Sequence, residues 1–566
     1  MGIESFFGGY IKKNFRGCVT KTLPQKVSSL FVDCNGIFHS CAQKVYGYGE
    51  YEGVGMPTQD SKTLIKEIEK KIEEILKVTA PEHNFILAPD GVAVSAKMNQ
   101  QKGRRYISAA TRTSTFDSNQ FTPGTELMIK LDERLKAWLE FNKRILPKRV
   151  IYSSHLDPGE GEHKIFDFVR QGKTLEGDGA HILYGLDSDL IILSLLSPLR
   201  NIFLMREDYT SLVDIDRLRT LIQDSLAFEG SDRDTLIKDF SVLVMFAGND
   251  FLPKLPSFTR IDNYLEIFTR LYKSTKRHLV TDSDDIDFET LYKILTKFKD
   301  VENRLYVKII NEDIQRYPYP ELIKSVTMEG TFDEAEFTNL WYCKQFCPFT
   351  GELASMYDNN QYYDEGEIGT MCIEFLKTMQ WVYKYYTNGF KSVSNTHFYP
   401  YIYAPMGKSL HSLLSRVFSD KRKLRGRLSK LKDVGPSKNQ EITAAHQLLL
   451  VLPRRSIKLI PREIVHMYDF FMGMVSPESF VIKHEGTNAD WHKTAIIPPI
   501  NLNLANFAFS QEKKWMLPSR LVEQQAQIFD NDKYVPKHKI FPTQIKQRMD
   551  KFNKTTDYRI RDVQLM

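Results

Sequence analysis

Seven acidic side chains in the first half of this chain follow short apolar runs, and this placement is typical of a metal site. The runs cover residues 29–33, 84–90, 150–154, 182–187 and 242–250, and the acids are Asp33, Asp90, Glu160, Glu162, Asp187, Asp189 and Asp250. Such runs between turn-forming residues predict buried parallel strands. Ligands of an open α/β sheet bind beyond the carboxyl ends of its strands, so all seven acids are expected to meet at one edge. Because clustered carboxylates repel each other, divalent cations are expected there.

Two pairs of these acids are separated by a single residue. Asp187 and Asp189 leave the same predicted strand, and carboxylates at this spacing can hold one hard cation or bridge two. Glu160 and Glu162 flank Gly161, which permits a tight turn in front of a helical stretch. An oxygen-rich ligand set favours Mg²⁺ or Mn²⁺ over metals that bind imidazole. His163 is therefore given a structural role rather than that of a ligand.

A row of basic and amide side chains comes shortly after Asp90. Lys97, Gln101, Arg104 and Arg105 share one face of a predicted helix. Their donors could clamp a phosphate, with guanidinium groups making two-pronged contacts. A solvated basic face is the other interpretation. The proximity of Asp90 favours the phosphate clamp, because a nuclease that reads a terminal phosphate needs one beside its metal edge.

Composition limits the class of protein. Among the 566 residues, 42% are hydrophobic and 12% aromatic, which excludes a disordered chain. No apolar run is long enough to span a membrane and no signal-peptide pattern begins the sequence, so a soluble intracellular protein without membrane contact is expected. Six cysteines in a chain of this length do not indicate a disulfide framework. Cys343 and Cys347 are interpreted as structural thiols rather than zinc ligands.

The sequence pattern divides the chain into four segments. Residues 1–275 alternate strands with helices, for example the predicted helix 62–77, and this indicates an α/β domain with a mainly parallel central sheet flanked by helices. Residues 276–345 are predicted to form a helical bridge, residues 346–505 an aromatic-rich second α+β region packed against the first, and residues 506–566 a C-terminal extension. The basic run 421–432 is interpreted as an exposed face, with RNA contact and a nuclear localisation signal as alternatives.

Several motifs occur in a fixed order. They are Met1-Gly-Ile, Asp33-Cys-Asn-Gly-Ile-Phe-His39, Asp90-Gly-Val-Ala-Val-Ser-Ala-Lys-Met-Asn-Gln-Gln with Arg104-Arg105, Thr122-Pro-Gly-Thr125, Pro158-Gly-Glu-Gly-Glu-His-Lys164, Tyr184-Gly-Leu-Asp-Ser-Asp-Leu-Ile191, Arg206-Glu207 and Phe246-Ala-Gly-Asn-Asp-Phe-Leu-Pro253. A second group comprises Trp381-Val, Tyr399-Pro-Tyr-Ile-Tyr-Ala-Pro405, Val451-Leu-Pro453, Ser476-Pro477 and Trp491. From Met1 to about residue 505 the chain resembles the XRN family of 5′→3′ exoribonucleases, as a compact member with the catalytic core.

This resemblance implies a PIN/FEN-like nuclease core that needs Mg²⁺, with two ions expected and Mn²⁺ able to substitute. By similarity the seven acids hold the ions, and Lys97, Gln101, Arg104 and Arg105 grip the 5′-monophosphate of single-stranded RNA. His39 would stack on the first base. The two ions would activate water and neutralise the leaving 3′ oxygen, releasing nucleoside 5′-monophosphates. The resemblance further implies a monomer, a decapping enzyme as partner, and the cytoplasm rather than the nucleus.

The chain departs from the family pattern in several places. Asn395 and His397 stand where the family has Trp-x-Trp, so His397 or Phe398 is expected to complete the base stack. Ile402 replaces a usual His, and Glu4 and Gly8-Gly9 replace a usual Pro and Arg-Trp. A flap or structure-specific DNA nuclease is the first alternative, disfavoured because no helix-hairpin-helix signature is present. A catalytically weak RNA-binding scaffold is the second, disfavoured because all seven acids are intact.

Overall fold

The computed structural model describes residues 2–52, 60–171, 175, 177–206, 211–328, 331–346, 365–419, 422, 424–436, 439–462, 464–473, 475–484, 493–511 and 527–530. The chain forms two compact units, and each is made from separate stretches of sequence. Unit 1 comprises Met1–Gly17, Arg217–Lys438 and Val481–Ile496, and unit 2 comprises Cys18–Asp216, Asn439–Phe480 and Ile497–Met566. The division into four consecutive segments stays a prediction.

The strands and helices are numbered in chain order. The strands are β1 Val19–Thr20, β2 Val27–Asp33, β3 Asn84–Ala88, β4 Arg149–Tyr152, β5 Ala180–Tyr184, β6 Ile202–Met205, β7 Leu212–Asp214, β8 Thr327–Met328, β9 Thr331–Phe332, β10 Val481–His484, β11 Lys493–Ile496 and β12 Gln527–Asp530. The helices are α1 Lys12–Asn14, α2 Cys34–Tyr46, α3 Ser61–Thr79, α4 Ser95–Thr111, α5 Glu126–Phe141, α6 Gly161–Arg170, α7 Asp189–Leu196, α8 Ile215–Leu226, α9 Arg233–Val244, α10 Ile261–Lys273, α11 Phe288–Lys308, α12 Pro320–Ser325, α13 Glu334–Phe346, α14 Glu365–Asn388, α15 Gly407–Ser419, α16 Leu424–Lys432, α17 Ala444–Val451, α18 Val465–Phe471 and α19 Leu502–Gln511.

Unit 2 is built on a mostly parallel sheet with the strand order β1-β7-β6-β5-β2-β3-β4-β12. The central strands β6, β5, β2, β3 and β4 pair in parallel, while β1, β7 and β12 add antiparallel edges. Every residue of β2, β3 and β5 is buried, which explains why these strands are continuous apolar runs. The prediction of a mainly parallel central sheet flanked by helices is confirmed.

The register of the central strands aligns their carboxyl ends. Asp33, the last residue of β2, lies opposite Ala88, the last residue of β3. On the other side of β2, Val32 lies opposite Tyr184, the last residue of β5. The loops that follow β2, β3 and β5 therefore leave the sheet at the same edge.

Helices α2, α3 and α5 contribute to one apolar core with the sheet. Ile37 and Phe38 of α2, Ile68 of α3 and Leu135 of α5 are fully buried within this cluster. The helix predicted at 62–77 is confirmed as α3, which begins one residue earlier and extends two residues further. Asp60 caps α3 by accepting a hydrogen bond from the Lys62 backbone N–H at 2.8 Å.

Unit 1 is mostly helical and has an aromatic core. The ring centroids of Phe246 and Phe268 are 5.0 Å apart, and those of Phe268 and Phe298 are 4.8 Å apart. Trp381 of α14 is fully buried and donates a hydrogen bond from Nε1 to the Ser394 carbonyl at 2.8 Å. Short two-stranded pairs, β8 with β9 and β10 with β11, belong to the same unit. The aromatic residues between 346 and 505 thus include core side chains.

The prediction of a strand at residues 242–250 is wrong. This run continues helix α9, which ends at Val244, and a single turn of 3₁₀ helix follows at Met245–Ala247. Asp232 starts α9 as its N-cap, accepting from the Thr235 N–H at 2.8 Å. The helix is buried on almost every side, so its apolar run has no helical periodicity and cannot be told from a buried strand. Asp250 therefore follows a helix rather than a strand.

No described helix combines the length and apolar character required to cross a membrane. Five of the six cysteines are described, namely Cys18, Cys34, Cys41, Cys343 and Cys372, and all five are free thiols. This agrees with the expectation that the cysteines do not form a disulfide framework.

Some residues used in the sequence analysis lie outside the described ranges. They are Cys347, Glu207, Trp491, Lys421 and Lys423, together with most of the predicted C-terminal extension. Residues 424–432 of the basic run form helix α16, and its last residue, Lys432, contacts Asp285 of the same unit at 3.5 Å.

Candidate active site

The structure brings four of the seven acids together at the carboxyl edge of the sheet in unit 2. Asp33 ends β2, Asp90 follows β3 by two residues, and Glu160 and Glu162 lie at the start of α6. One oxygen from each of Asp33, Asp90 and Glu162 lies within 4.8 Å of the others. These three carboxylates, with the adjoining Glu160, are called the acidic cluster below. Glu162 also meets Glu160 and His163 within the same distance.

Asp90 is oriented by hydrogen bonds to both of its oxygens. The Asn35 side-chain amide donates to Asp90 Oδ2 at 2.5 Å, and the Gly161 backbone N–H donates to Oδ1 at 2.7 Å. Asn35 also accepts a hydrogen bond from the Asp90 backbone N–H at 3.1 Å. Asn35 and Gly161 follow β2 and β4, so residues after the two strands that flank β3 fix this carboxylate.

Lys164 ties the loops after β3 and β4 together. Its buried Nζ donates to the Pro89 carbonyl at 2.8 Å and to the Ser154 carbonyl at 2.6 Å. Burial lowers the pKa of Lys164, although Asp157 and Asp90 favour its charged form. Lys164 belongs to the motif at residues 158–164, but no role was predicted for it. It holds the loop that carries Asp90 in place.

Gly161 fits where no other residue can. A Cβ at this position would lie 2.4 Å from the Ala88 carbonyl oxygen and 2.7 Å from Asp33 Oδ1. Both contacts are far inside van der Waals distance, and the first is with backbone that cannot easily move. The start of α6 can thus approach β2 and β3 closely enough to place Glu160 and Glu162 in the acidic cluster.

Replacing Gly161 with alanine is expected to displace the start of α6 and to lower both stability and activity. The strain should cost about 1–3 kcal/mol of unfolding free energy, measurable by urea denaturation. The control is Gly103→Ala on α4, where an added Cβ has no heavy atom within 4 Å. Gly103→Ala should have the same or slightly higher stability, because alanine stabilises a helix more than glycine does. Equal stability of Gly161→Ala and the unmodified chain would contradict the steric argument.

Asp187 and Asp189 flank the start of α7, beyond β5. Asp189 is buried and Asp187 is half-buried. The charge of Asp187 acts on Asp33, whose pKa it helps to raise. The structure therefore places Asp187 beside the acidic cluster, and the two acids follow a strand, as the sequence analysis expected.

The electrostatics of the cluster favour a cation. Burial raises the pKa of Asp33 well above its usual range, and the charges of Asp90 and Asp187 raise it further. Burial likewise raises the pKa of Glu162, and the charges of Glu160 and Asp33 also raise it, by smaller amounts. Converging carboxylate oxygens are the ligands that Mg²⁺ and Mn²⁺ prefer, and a divalent ion removes the repulsion between them. The chemistry of this donor set fits such an ion.

His163 belongs to the same neighbourhood. It is buried, and burial lowers its pKa well below the usual range, with further lowering by Arg170 and Lys97. The imidazole is therefore neutral at pH 7. Its predicted structural role stays a prediction, because one ring nitrogen is near enough to Glu160 and Glu162 to share a cation with them.

Helix α4 carries the predicted basic row on one face. Lys97 Nζ forms an ion pair with Glu160, so this row begins at the acidic cluster. Arg105 Nε donates to Thr122 Oγ1 at 2.9 Å. Arg104 Nη1 makes a long contact of 3.4 Å with Gln100, whereas its buried Nη2 has no hydrogen-bond partner among the described residues.

The two arginines lie close enough to affect each other. Burial and, to a smaller extent, the charge of Arg104 together lower the pKa of Arg105 to about 10. One of these two neighbouring guanidinium groups has a buried nitrogen with no hydrogen-bond partner in the part of the chain that the structure describes, so the pair favours binding of an anion. A phosphate group satisfies both the charge and the hydrogen-bond requirement.

His39, on α2, lies next to this basic row. His39 is solvent-exposed as a residue, and its ring centroid lies 4.9 Å from that of Phe121. Desolvation lowers the pKa of His39 to about 4, with contributions from Arg104 and Arg105. The ring is thus neutral at pH 7, with an exposed surface beside the candidate phosphate site.

Two predicted site residues, Asp250 and His397, belong to unit 1. Asp250 Oδ1 accepts a hydrogen bond from the Gly2 backbone N–H at 3.2 Å. His397 is half-buried, and its Nε2 lies 2.9 Å from Thr378 Oγ1. Burial lowers the pKa of His397 to about 3. Neither residue is described together with the acidic cluster, so their predicted roles stay predictions.

Several residues that position the site were not predicted from the sequence. Asn35, Thr122 and Lys164 all lie within the recognised sequence motifs, so their place in those motifs was an available signal. Gln447 is different, because it contacts Gln101 from 346 positions away. No local pattern could have identified it.

The comparisons with known proteins agree with this geometry. The sequence matches the family described as "XRN 5'-3' exonuclease N-terminus" over residues 1–114 and 108–208, which include the acidic cluster and α4. It also matches the family described as "Xrn1 helical domain" over residues 230–338 and 359–511. The chain belongs to the XRN family. The resemblance expected from the motifs is thereby confirmed.

Curated XRN proteins align with much of the chain at modest identity. Human 5'-3' exoribonuclease 1 is 26% identical, covering 88% of this chain and 33% of that protein. The 5'-3' exoribonuclease 1 of Saccharomyces cerevisiae is 27% identical over 58% of this chain and 24% of its own length. The 5'-3' exoribonuclease 2 of Yarrowia lipolytica is 28% identical over 50% and 34%. The chain spans about a quarter to a third of the length of these relatives.

Among solved structures, the chain aligns with a bacteriophage flap endonuclease in a complex with DNA and metal ions. The two are 12% identical with a TM-score of 0.28, covering 53% of this chain and 92% of that chain. A score this low supports no argument about the XRN chain.

Proposed function

We propose that this XRN chain is a 5′→3′ exoribonuclease that degrades single-stranded RNA bearing a 5′-monophosphate to nucleoside 5′-monophosphates. One observation carries the proposal: the acidic cluster adjoins the basic row of α4 through the Lys97–Glu160 ion pair. A cation-binding edge supports phosphodiester hydrolysis, and an adjoining anion site supports recognition of a terminal phosphate. Family membership and the names of the aligned relatives support the same activity.

The proposed cofactor is Mg²⁺, with two ions expected and Mn²⁺ able to substitute. Asp33, Asp90, Glu160, Glu162, Asp187, Asp189 and Asp250 are the proposed ligands. When bound, such ions stabilise charge on phosphoryl oxygens and lower the pKa of water. The protein contributes the orientation of the carboxylates: Asn35 and Gly161 fix Asp90, and Lys164 holds the loop that carries it.

The proposed phosphate site comprises Lys97, Gln101, Arg104 and Arg105. Arg104 Nη2 lacks a partner among the described residues, so a terminal phosphate oxygen would complete its hydrogen bonding. A triphosphate or cap brings additional charge and bulk that these donors cannot pair, which supports selectivity for a monophosphate. Cleavage breaks the bond between phosphorus and the 3′ oxygen of the first nucleotide. Water supplies the new oxygen on that phosphorus, so each cycle creates a new 5′-monophosphate for the same site.

His39 is the proposed platform for the first base. Its exposed neutral ring, adjacent to Arg104 and Arg105, supports stacking rather than ionic contact. His397, supported only by the sequence resemblance, is proposed as the second stacking residue.

The proposal extends to the cellular setting. The free thiols of the described cysteines support a reducing compartment, and the cytoplasm is preferred to the nucleus. A requirement for a 5′-monophosphate implies that capped RNA must first be hydrolysed, so a decapping enzyme is the proposed partner. A monomer is proposed for the XRN chain itself.

The proposal can be tested by digestion of 3′-end-labelled RNA that carries a 5′-monophosphate, a 5′-hydroxyl or a cap, with Mg²⁺ or EDTA. A DNA flap substrate is included in parallel. We expect Mg²⁺-dependent release of mononucleotides, fastest from the 5′-monophosphate. Cleavage of the flap without RNA degradation would indicate a DNA nuclease, and binding without degradation would indicate an RNA-binding scaffold. Either result would overturn the proposal.

A further inference from the structure

Gln447 lies at the contact between helices α17 and α4 within unit 2. Its side chain is fully buried and makes two hydrogen bonds to residues far away in sequence. The Ala93 backbone N–H donates to Gln447 Oε1 at 3.1 Å, just before α4 begins. Gln447 Nε2 donates to Gln101 Oε1 at 3.0 Å. The oxygen of the Gln447 side chain is therefore fixed by the main chain, and its nitrogen contacts the basic row at Gln101.

The backbone contact determines how both amides are oriented. A backbone N–H can only donate, so the atom of Gln447 that faces Ala93 must be the oxygen. The atom that faces Gln101 must then be the nitrogen of Gln447, which can only donate. Gln101 must therefore accept this hydrogen bond with its side-chain oxygen, and its Nε2 is directed away from Gln447. No hydrogen bond from Gln101 Nε2 is found among the described residues, so that donor is available to a ligand.

We propose that Gln447 is a positioning residue that keeps Gln101 oriented as a hydrogen-bond donor to the 5′-phosphate. This inference rests on the proposed function. A free glutamine can present its oxygen or its nitrogen with nearly equal ease, and an amide oxygen facing a phosphate is repulsive. Gln447 fixes the orientation of the Gln101 amide before RNA binds. Binding of RNA therefore does not have to include the free-energy cost of orienting Gln101.

The surroundings of Gln447 hold it rigidly enough for this role. Thr443 begins α17 with a reciprocal capping box to His446, whose ring lies 4.3 Å from that of Phe509. Helix α4 is also anchored at two further positions by the C-terminal part of unit 2. Asn99 accepts a hydrogen bond from the Ile500 N–H at 3.1 Å, and Lys102 donates to the Pro498 carbonyl at 2.9 Å. Residues 443–447 and 498–509 of unit 2 therefore brace the helix that carries the phosphate site.

The inference is tested with Gln447→Leu, which keeps a similar size and removes both hydrogen bonds. The measured quantity is the ratio of kcat/KM for 5′-monophosphate RNA to that for 5′-hydroxyl RNA. We expect this ratio to fall about tenfold, with the rate on 5′-hydroxyl RNA almost unchanged. Gln440→Leu, at an exposed position of the same segment, is the matched control and should leave the ratio unaltered.

A double-mutant cycle separates positioning from a general packing effect. If Gln447 acts through Gln101, then Gln447→Leu should change the ratio less than about twofold in a Gln101→Ala background. An equal fall in both backgrounds would overturn the inference. Gln447→Met, whose flexible side chain packs more easily, replaces the leucine variant if thermal melting shows that the latter does not fold.

The design distinguishes this inference from the proposed function. If the unmodified chain shows no preference for a 5′-monophosphate, the proposed function fails and the inference fails with it. If the unmodified chain shows the preference and folded Gln447→Leu or Gln447→Met keeps it in full, the inference alone is overturned.

Discussion

Asp33→Asn is expected to lower RNA hydrolysis by about 10³-fold or more while leaving the protein at least as stable as before. The catalytic loss follows because a metal ligand worth several kcal/mol of transition-state stabilisation is removed. The stability follows because Asp33 is buried beside Asp90 and Glu162, so without a cation its charge is unfavourable. Asparagine keeps the oxygen that accepts from the Asn35 N–H and thus preserves the cap of α2.

Two measurements check this prediction. Hydrolysis of 5′-monophosphate RNA is followed in Mg²⁺, and the melting temperature is measured in EDTA and in Mg²⁺. The unmodified chain should gain stability with Mg²⁺, because an ion that binds only the folded state stabilises it. Asp33→Asn should match or exceed the unmodified chain in EDTA and gain little from Mg²⁺. RNA binding should remain, because α4 is unaltered.

The matched control is Asp178→Asn, just before β5 and so at the opposite end of that strand from Asp187. Asp178 is exposed and pairs with Lys26 on the surface at 2.5 Å, an interaction worth little. This variant should hydrolyse RNA and respond to Mg²⁺ like the unmodified chain. Near-normal turnover by Asp33→Asn would refute the assignment of Asp33 to the metal ligands.

Arg104→Ala is expected to reduce the preference for 5′-monophosphate over 5′-hydroxyl RNA by roughly 10- to 100-fold. The estimate corresponds to losing one or two hydrogen bonds between charged groups. Arg104 is the clearest target in the basic row, because its buried Nη2 has no partner among the described residues. Lys97 and Arg105, by contrast, are already engaged by Glu160 and Thr122.

The reaction on 5′-hydroxyl RNA provides the internal reference for this prediction. Its rate should change little in Arg104→Ala, since that substrate has no terminal phosphate to lose contact with. Arg134→Ala is the control, because Arg134 is an exposed guanidinium on α5 that pairs with Glu69 at the surface. An equal fall in rate on both RNAs would show that Arg104 serves the fold or the RNA backbone rather than the terminal phosphate.

Much of the sheet could be read from the sequence, because its strands are short, fully buried and bounded by turn formers. The predictions for β2, β3, β4 and β5 agree with the structure. The strand predicted at residues 242–250 is instead the end of a helix, and burial also explains this error. Helix α9 is buried on nearly all sides, so the amphipathic period that normally reveals a helix is missing.

The chemical character of the site can be predicted from the order of residues along the chain. Two features depend only on local sequence order: carboxylates that follow buried runs, and basic residues at helical spacing. Both can be recognised without knowledge of the fold. The orientation of these side chains, in contrast, depends on contacts that form only in the folded chain. Gly161 is required by the close approach of α6 to β3, and Gln447 orients Gln101 across 346 positions of sequence. Such contacts arise between elements that are distant along the chain, where spacing carries no information.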